Sequence, residues 1–473
     1  GHRETIQTLM ASGASIQATN VSGQTALMLA AYKGVPEVAR ELLAAGAEVE
    51  AVDHKGWTPL MFSAQYGEQA TVDVLLAGHA KLGTADLTGA TALHIAAGNG
   101  QVDTVRTLLE AGAEVDRVDK KGSTALAQAA AGGHLDCVHE LLAHKAALDT
   151  RDGTGATALH LAAAEGYSNV VRALTDAKAD LNVIDDDGDT PLMCASSQNG
   201  HANIVEYLLE KGVDVNSKTI YCRSPLAIAA DNGKIQVVEM LVKHGALVDA
   251  ADVDGKTPLM LAAYSGQRRV VQILLEAGAA TDKVNCDGQT ALFLASYEGH
   301  KKIVETLVQA GADVNLPDRE LTTPLMAATL NRHLGTVLKL LDAQADTGAV
   351  DRRGRTPLMM ACDRGLPGIA RRLLALGAGV DRACRAGWTP LMYCCQHGLA
   401  ELIKLLLEAK ADVNLQDNEG NSALGICVAN GFLQSAKLLL ANGAKVTTQN
   451  SSGRSPLIMA CYNGFTSSVE YLL

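Results

Sequence analysis

Residues able to do chemistry occur in this chain of 473 residues, but their spacing does not let them act together. His139, Glu140 and His144 sit in one segment, as the ligands and base of a zinc hydrolase would. Two histidines share a helix face when they are four apart. At five apart the second swings about 140° away, and one ion cannot be held by both. Asp185, Asp186, Asp187 and Asp189 surround Gly188 and offer hard oxygen ligands. A calcium loop needs glycine at its sixth place and a bidentate glutamate at its twelfth. Those places hold Thr190 and Ser196, which leaves an acidic turn. Gly153 and Gly155 lack the third glycine of a dinucleotide loop. Ten cysteines are present without a single Cys-x-x-Cys pair. Most fall where neighbouring segments carry alanine, as small core residues in a reducing compartment would, whereas Cys222, Cys286 and Cys384 fall in turns and are expected to be exposed. No nucleophile–base pair and no paired carboxylates can be assembled. The chain is therefore read as having no catalytic residue, no metal site and no cofactor.

The elements that position all of these residues are copies of one another. Thr-Pro/Ala-Leu-Met/His recurs at Thr25, Thr58, Thr91, Thr124, Thr157, Thr190, Ser224, Thr257, Thr290, Thr323, Thr356, Thr389, Ser422 and Ser455. Every interval is 33 residues except the 34 between Thr190 and Ser224. Such a period predicts a stack of supersecondary units rather than a globule. In the second copy, Asp53 and Gly56 flank a polar turn, Thr58 can cap a helix and Pro59 suits its first position. Leu60, Met61 and Ala64 then make a short apolar helix that stops before Gly67, and Val72, Leu75 and Leu76 form one face of a second. Neither helix can bury its stripe alone, but stacked neighbours can.

Gly122-Ser-Thr-Ala-Leu, Ala90-Thr-Ala-Leu-His-Ile-Ala-Ala-Gly-Asn-Gly and Leu208-Leu-Glu-Lys-Gly-Val-Asp-Val-Asn resemble ankyrin repeats, and the likeness extends over essentially the whole chain. The fold implied is an all-α solenoid of helix-turn-helix units with a β-turn or hairpin finger. Residues 1–473 are read as one array of about 14 repeats, numbered here by the threonine or serine series above. Irregular copies are expected near 197–224 and 318–333. Copy seven lacks the turn aspartate and glycine, and copy ten has Leu321 and Arg332 for glycines. Methionine replaces the family's histidine at Met28, Met61, Met193, Met260, Met326, Met359 and Met392, while His94 and His160 keep it. Methionine there is expected to fill the space without the polar contacts. Gly1-His2 and Leu473 fall inside repeats, and an array needs polar caps. The expectation is a segment of a longer protein.

Composition narrows the partners. The chain is 48% hydrophobic but only 3% aromatic, so aliphatic side chains must pack its layers. Its net charge of −12 argues against nucleic acid, whose phosphates need a basic face. No run approaches the ~18 apolar residues of a membrane span, and no signal peptide is seen, so direct membrane insertion is not expected and a cytoplasmic location is.

The resemblance implies partner binding on the concave face of fingers and first helices. At its variable positions, repeats five and six carry Glu165, Asp185, Asp186, Asp187 and Asp189. Repeats ten to twelve carry Arg319, Arg352, Arg353, Arg355, Arg364 and Arg385. Trp57, Tyr66, Tyr264, Tyr297 and Trp388 add aromatic anchors, the kind of residue that dominates interface energies. The reading is a protein–protein scaffold binding partner proteins or peptides, with an acidic partner face at repeats ten to twelve. The alternatives are the regulatory arm of a multidomain enzyme and the cytosolic repeat domain of a membrane channel. The likeness also implies that Asn182, Asn216, Asn315 and Asn414 resemble acceptors for asparaginyl hydroxylation. The plainer reading is that each bonds a turn backbone, as Asp116 and Asp249 would.

Overall fold

The computed structural model describes residue 8, residues 12–197 and residues 199–473. The opening Gly1-His2 and Gln198 of the 34-residue interval lie outside the described residues. Two compact units divide the chain: Gly1–Ala229 with Gln236–Leu247, and Ala230–Ile235 with Val248–Leu473. The first holds the fingers of repeats one to seven and the second those of repeats eight to fourteen. Twenty-eight helices, two to a repeat, are found among the described residues, with no strand and only three isolated bridges, such as Val118–Thr124.

Local chemistry explains each repeat. Thr58 Oγ1 accepts the Met61 N–H at 3.3 Å, Pro59 opens the helix Pro59–Tyr66, and Gly67 closes it in the left-handed conformation at φ 70°. The finger before it is tied by Asp53, whose Oδ1 accepts the N–H groups of Lys55 at 2.8 Å and Trp57 at 2.9 Å. Fingers then join one another through a single backbone bond. In the first unit the Leu87 N–H donates to the Lys55 carbonyl at 3.0 Å, and in the second the Arg319 N–H donates to Asp287 at 2.9 Å.

The core lies between successive first helices and between each of them and its second helix. The leucine two past the cap is at most 2% exposed in every repeat from Leu27 to Leu424. Second helices turn a Val/Ile/Leu face inward, as Val270, Val271, Ile273 and Leu274 do.

Three details differ from expectation. Four of the seven methionines do take a polar contact: the cap N–H donates to Sδ of Met28 at 3.4 Å, and of Met61, Met193 and Met392 at 3.5 Å each. What they lack is a second polar atom. His94 Nδ1 holds the Thr91 N–H while its Nε2 reaches the Ser123 carbonyl of the next repeat at 3.1 Å, and His160 reaches Asp189 at 2.9 Å. Cys384, placed in a turn by the sequence, is buried, because it stands where other repeats carry the turn aspartate. Cys461, placed among core positions, is exposed.

The extra residue near 197 leaves the first helix of repeat six, Pro191–Ser196, six residues long, whereas the irregular fingers of repeats seven and ten keep the regular backbone. In repeat seven Thr219 Oγ1 replaces the aspartate, accepting the Tyr221 and Arg223 N–H groups at 3.2 Å each. Cys222 and Leu321 adopt the positive φ of the missing turn glycines, at 57° and 59°, and Arg332 does the same between helices at 64°. A residue with a Cβ is held there against roughly 1–2 kcal/mol. The finger bonds Ile220 to Asp187 and Arg319 to Asp287 are made in these two repeats as elsewhere.

Two outcomes follow from this packing. Leu192→Ala, in a position 1% exposed, should destabilise its unit by about 2–5 kcal/mol in denaturant titration. Under native conditions the exposed Cys286 and Cys461 should alkylate readily. Burial pushes the Cys394 and Cys395 thiols up, so these two should react only after denaturation, and all ten should titrate as free thiols there without reductant.

Candidate functional site

The arginines singled out by sequence stand at the fingertips of three successive repeats in the second unit. Arg319, Arg352 and Arg385 occupy one register position, four residues before the cap, and each donates its backbone N–H to the preceding tip, at 2.9, 3.0 and 2.9 Å. Their side chains are exposed, as is that of Arg353. The six are not equivalent. Arg355 is half-buried and its Nε lies 2.9 Å from Oδ2 of the buried Asp351, so its charge is matched within its own finger. Arg352 donates through Nε to the Arg319 carbonyl at 2.8 Å and lies 3.6 Å from Glu320. Arg364, on the rim of the first helix, is 4.0 Å from Asp363, which also pairs with His397. Arg319, Arg353 and Arg385 make no ion pair among the described residues.

Both tryptophans are half-buried rather than exposed. Trp57 meets Phe62 edge-on with ring centroids 5.2 Å apart, and its indole N–H donates to Asp86 of the next finger at 3.0 Å. Trp388 packs on Tyr393 at 5.2 Å, and the Tyr393 hydroxyl donates to Cys384 Sγ at 3.7 Å. The signal that sequence reading missed is the spacing. Each tryptophan has an aromatic residue five positions on, one turn inside its first helix. Tyr66 is exposed and edge-packed on Tyr32 at 4.9 Å. With Trp57, Phe62, Val21 and His54 it lines a groove of about 520 Å³ in the first unit. Tyr264 and Tyr297 are exposed on first helices of the second unit.

The acidic finger of repeat six is only partly a solvated charge run. Asp186 pairs with Arg151 at 3.0 Å. Asp189 lines a cavity of about 440 Å³ with Asp187, Cys194, Tyr221 and Arg223. One of its oxygens is enclosed and has no hydrogen-bond partner among the described residues. Burial first, then the charges of Asp185 and Asp187, push its carboxyl up to about 6, against the opposing field of Arg223.

The four asparagines act as staples between repeats. Asn216 Oδ1 accepts the Leu247 N–H at 2.8 Å, Asn315 that of Asp346 at 2.8 Å and Asn414 that of Lys445 at 2.9 Å. Asn182 makes the same bond to Asp214 at a longer 3.4 Å. Asp116 and Asp249 do this for Ala147 and Ala280, at 2.8 and 3.2 Å. The amide therefore has a structural task that a carboxylate performs equally well.

Among the described residues no group of histidine, cysteine and carboxylate side chains could hold a metal ion, and no helix is long and apolar enough to cross a membrane. A carboxyl raised in the folded state binds its proton more tightly there than when unfolded, so Asp189 lowers stability as pH rises from about 4 to about 6 and keeps it lowered above. Asp189→Asn should raise the denaturation midpoint at pH 7.5, and the gain should shrink as pH falls through that window.

The comparison with known families agrees with this geometry. The family described as ankyrin repeats, three copies to a unit, matches residues 1–86, 71–152, 145–219, 220–285, 277–351, 325–417 and 400–473. Compared with the curated proteins, the chain has no match. Capped helix pairs, turn fingers and a family match running from end to end make this chain a member of the ankyrin-repeat family.

Proposed function

We propose that the chain is a protein-binding scaffold and that its second unit captures an acidic protein segment along the fingertips of repeats ten to twelve. Ankyrin repeats are modules of protein–protein interaction, and the fold is a non-catalytic one. The observation that carries the finer reading is the set Arg319, Arg353 and Arg385, exposed cations on adjacent tips with no carboxylate paired to them among the described residues. Adjacent tips are about one helix-packing step apart, 8–10 Å, close to the Debye length of about 10 Å at 0.1 M salt, so their fields add. The rest of the chain has net negative charge, which disfavours nucleic acid as the partner. Trp388 beside Arg385 offers an apolar anchor. The aromatic groove of Trp57 and Tyr66 is a second contact surface of the same scaffold. Ten free thiols fit a reducing, intracellular setting.

The test is the rate at which a synthetic oligoglutamate peptide associates with the protein. Reversing Arg319, Arg353 and Arg385 to glutamate should slow association severalfold at low salt, and the difference should fade near 0.5 M salt, where the field is screened. An unchanged rate in the triple variant would overturn the reading.

A further inference from the structure

The row of arginines carries a spacing as well as a charge. Arg319, Arg352 and Arg385 are related by the repeat itself, 33 residues apart, and each backbone is fixed to the preceding tip by the same hydrogen bond. Equivalent atoms therefore recur at one packing step, about 8–10 Å. Their side chains leave the tips in a defined way. A Cβ built on Gly288 would meet Arg319 Cγ at 3.2 Å, and one on Gly354 would meet Arg385 Cγ at 3.2 Å, so each stem lies back over the glycine of the finger before it. Behind the middle arginine, Arg352, the corresponding position of the first finger is Leu321, 44% exposed and held at φ 59°. Arg352 anchors instead through Nε on the Arg319 carbonyl. The row thus presents three guanidinium groups with an exposed apolar side chain, Leu321, in its first finger and the half-buried Trp388 in its last.

A ligand with one carboxylate per tip must repeat at that same step. Side chains on one face of a β-strand recur about every 6.7 Å, too short. An α-helix brings a residue back to one face every seven positions, about 10.5 Å, and drifts past the row over two steps. Polyproline II returns every third residue at about 9.3 Å, within the range. Its residues between the acids are free to be proline, whose ring suits an exposed leucine and an indole edge.

Resting on the acid-capture reading above, we propose that Arg319, Arg352 and Arg385 form a ruler for an extended, proline-rich acidic segment with a carboxylate at every third residue. Leu321 packs against the intervening prolines. Glu320, 3.6 Å from Arg352, competes for the middle guanidinium and sets how tightly the middle carboxylate is held.

The test compares three synthetic peptides of equal charge by fluorescence anisotropy at 50 mM salt. One carries Glu-Pro-Pro-Glu-Pro-Pro-Glu within neutral flanks. A second has the same composition with its three glutamates adjacent. A third is an alanine-based helix with glutamates seven apart. Losing register at two exposed ion pairs should weaken binding about fivefold, so the first peptide should bind at least that much tighter than the others. Glu320→Gln should tighten the first peptide further, and Leu321→Ser should reduce its advantage over the second. Equal binding of the first two peptides, both lost in the Arg319, Arg353 and Arg385 reversal, would overturn the ruler and leave acid capture standing. Tightest binding by the helix would overturn the extended occupant. No binding of any peptide above its glutamine analogue would overturn ruler and acid capture together.

Discussion

No repeat in this chain owns a hydrophobic core. From Leu27 to Leu424 the leucine two past the cap is buried because the first helix of a neighbouring repeat lies against it, and the short helices, six to nine residues, have no stability of their own. Everything else follows from that dependence. A helix pair must enter the stack at a fixed angle, so its first helix is capped by threonine or serine and closed by a left-handed residue. The finger must clear the previous finger, so most fingers carry an Asx turn and a glycine. Where the glycine is missing, at Cys222, Leu321 and Arg332, the backbone still takes the left-handed shape. The burial gained by stacking outweighs a strain of roughly 1–2 kcal/mol at one residue.

Much of this was legible in the sequence because the repeat is a physical period, not a composition. Thr58, Pro59, Leu60 and Gly67 each have one reason to stand where they do, and the structure uses all four as their spacing implies. The site was less legible. Sequence places Arg355 beside Arg353, yet the two differ completely. Position minus one points back into the finger toward Asp351, while position minus three points out. Trp57 and Trp388 stand at turn tips, where a side chain is ordinarily exposed, yet both are half-buried. Their packing depends on Phe62 and Tyr393, which look like ordinary helix residues until the finger folds over them. Cys384 was misplaced for a related reason: the finger buries whatever stands at its aspartate position.

The interaction surface is uneven in chemistry while regular in geometry. The same position, four before the cap, is filled by Leu87 in one finger, Asp186 in another and Arg352 in a third, and the backbone bond from that position is present for each. Affinity can therefore vary along the stack without altering the stack. This separation of frame from contact suits a binding protein. It also explains why residues such as Asn315 and Asp249, which belong to the frame, interchange so readily between amide and carboxylate.

The finger-to-finger hydrogen bond has a dynamic consequence. Since Arg352 and Arg385 are tied by their own amides to the tips before them, the middle tip cannot open without releasing bonds on both sides. A ligand laid across all three tips must then suppress the local unfolding of the repeat between its ends, even where it touches that repeat weakly. A ligand spanning the tips would bind these already linked repeats more tightly into one cooperative segment. Part of the recognition energy of such a surface resides in lost fraying rather than in any contact that a static structure displays.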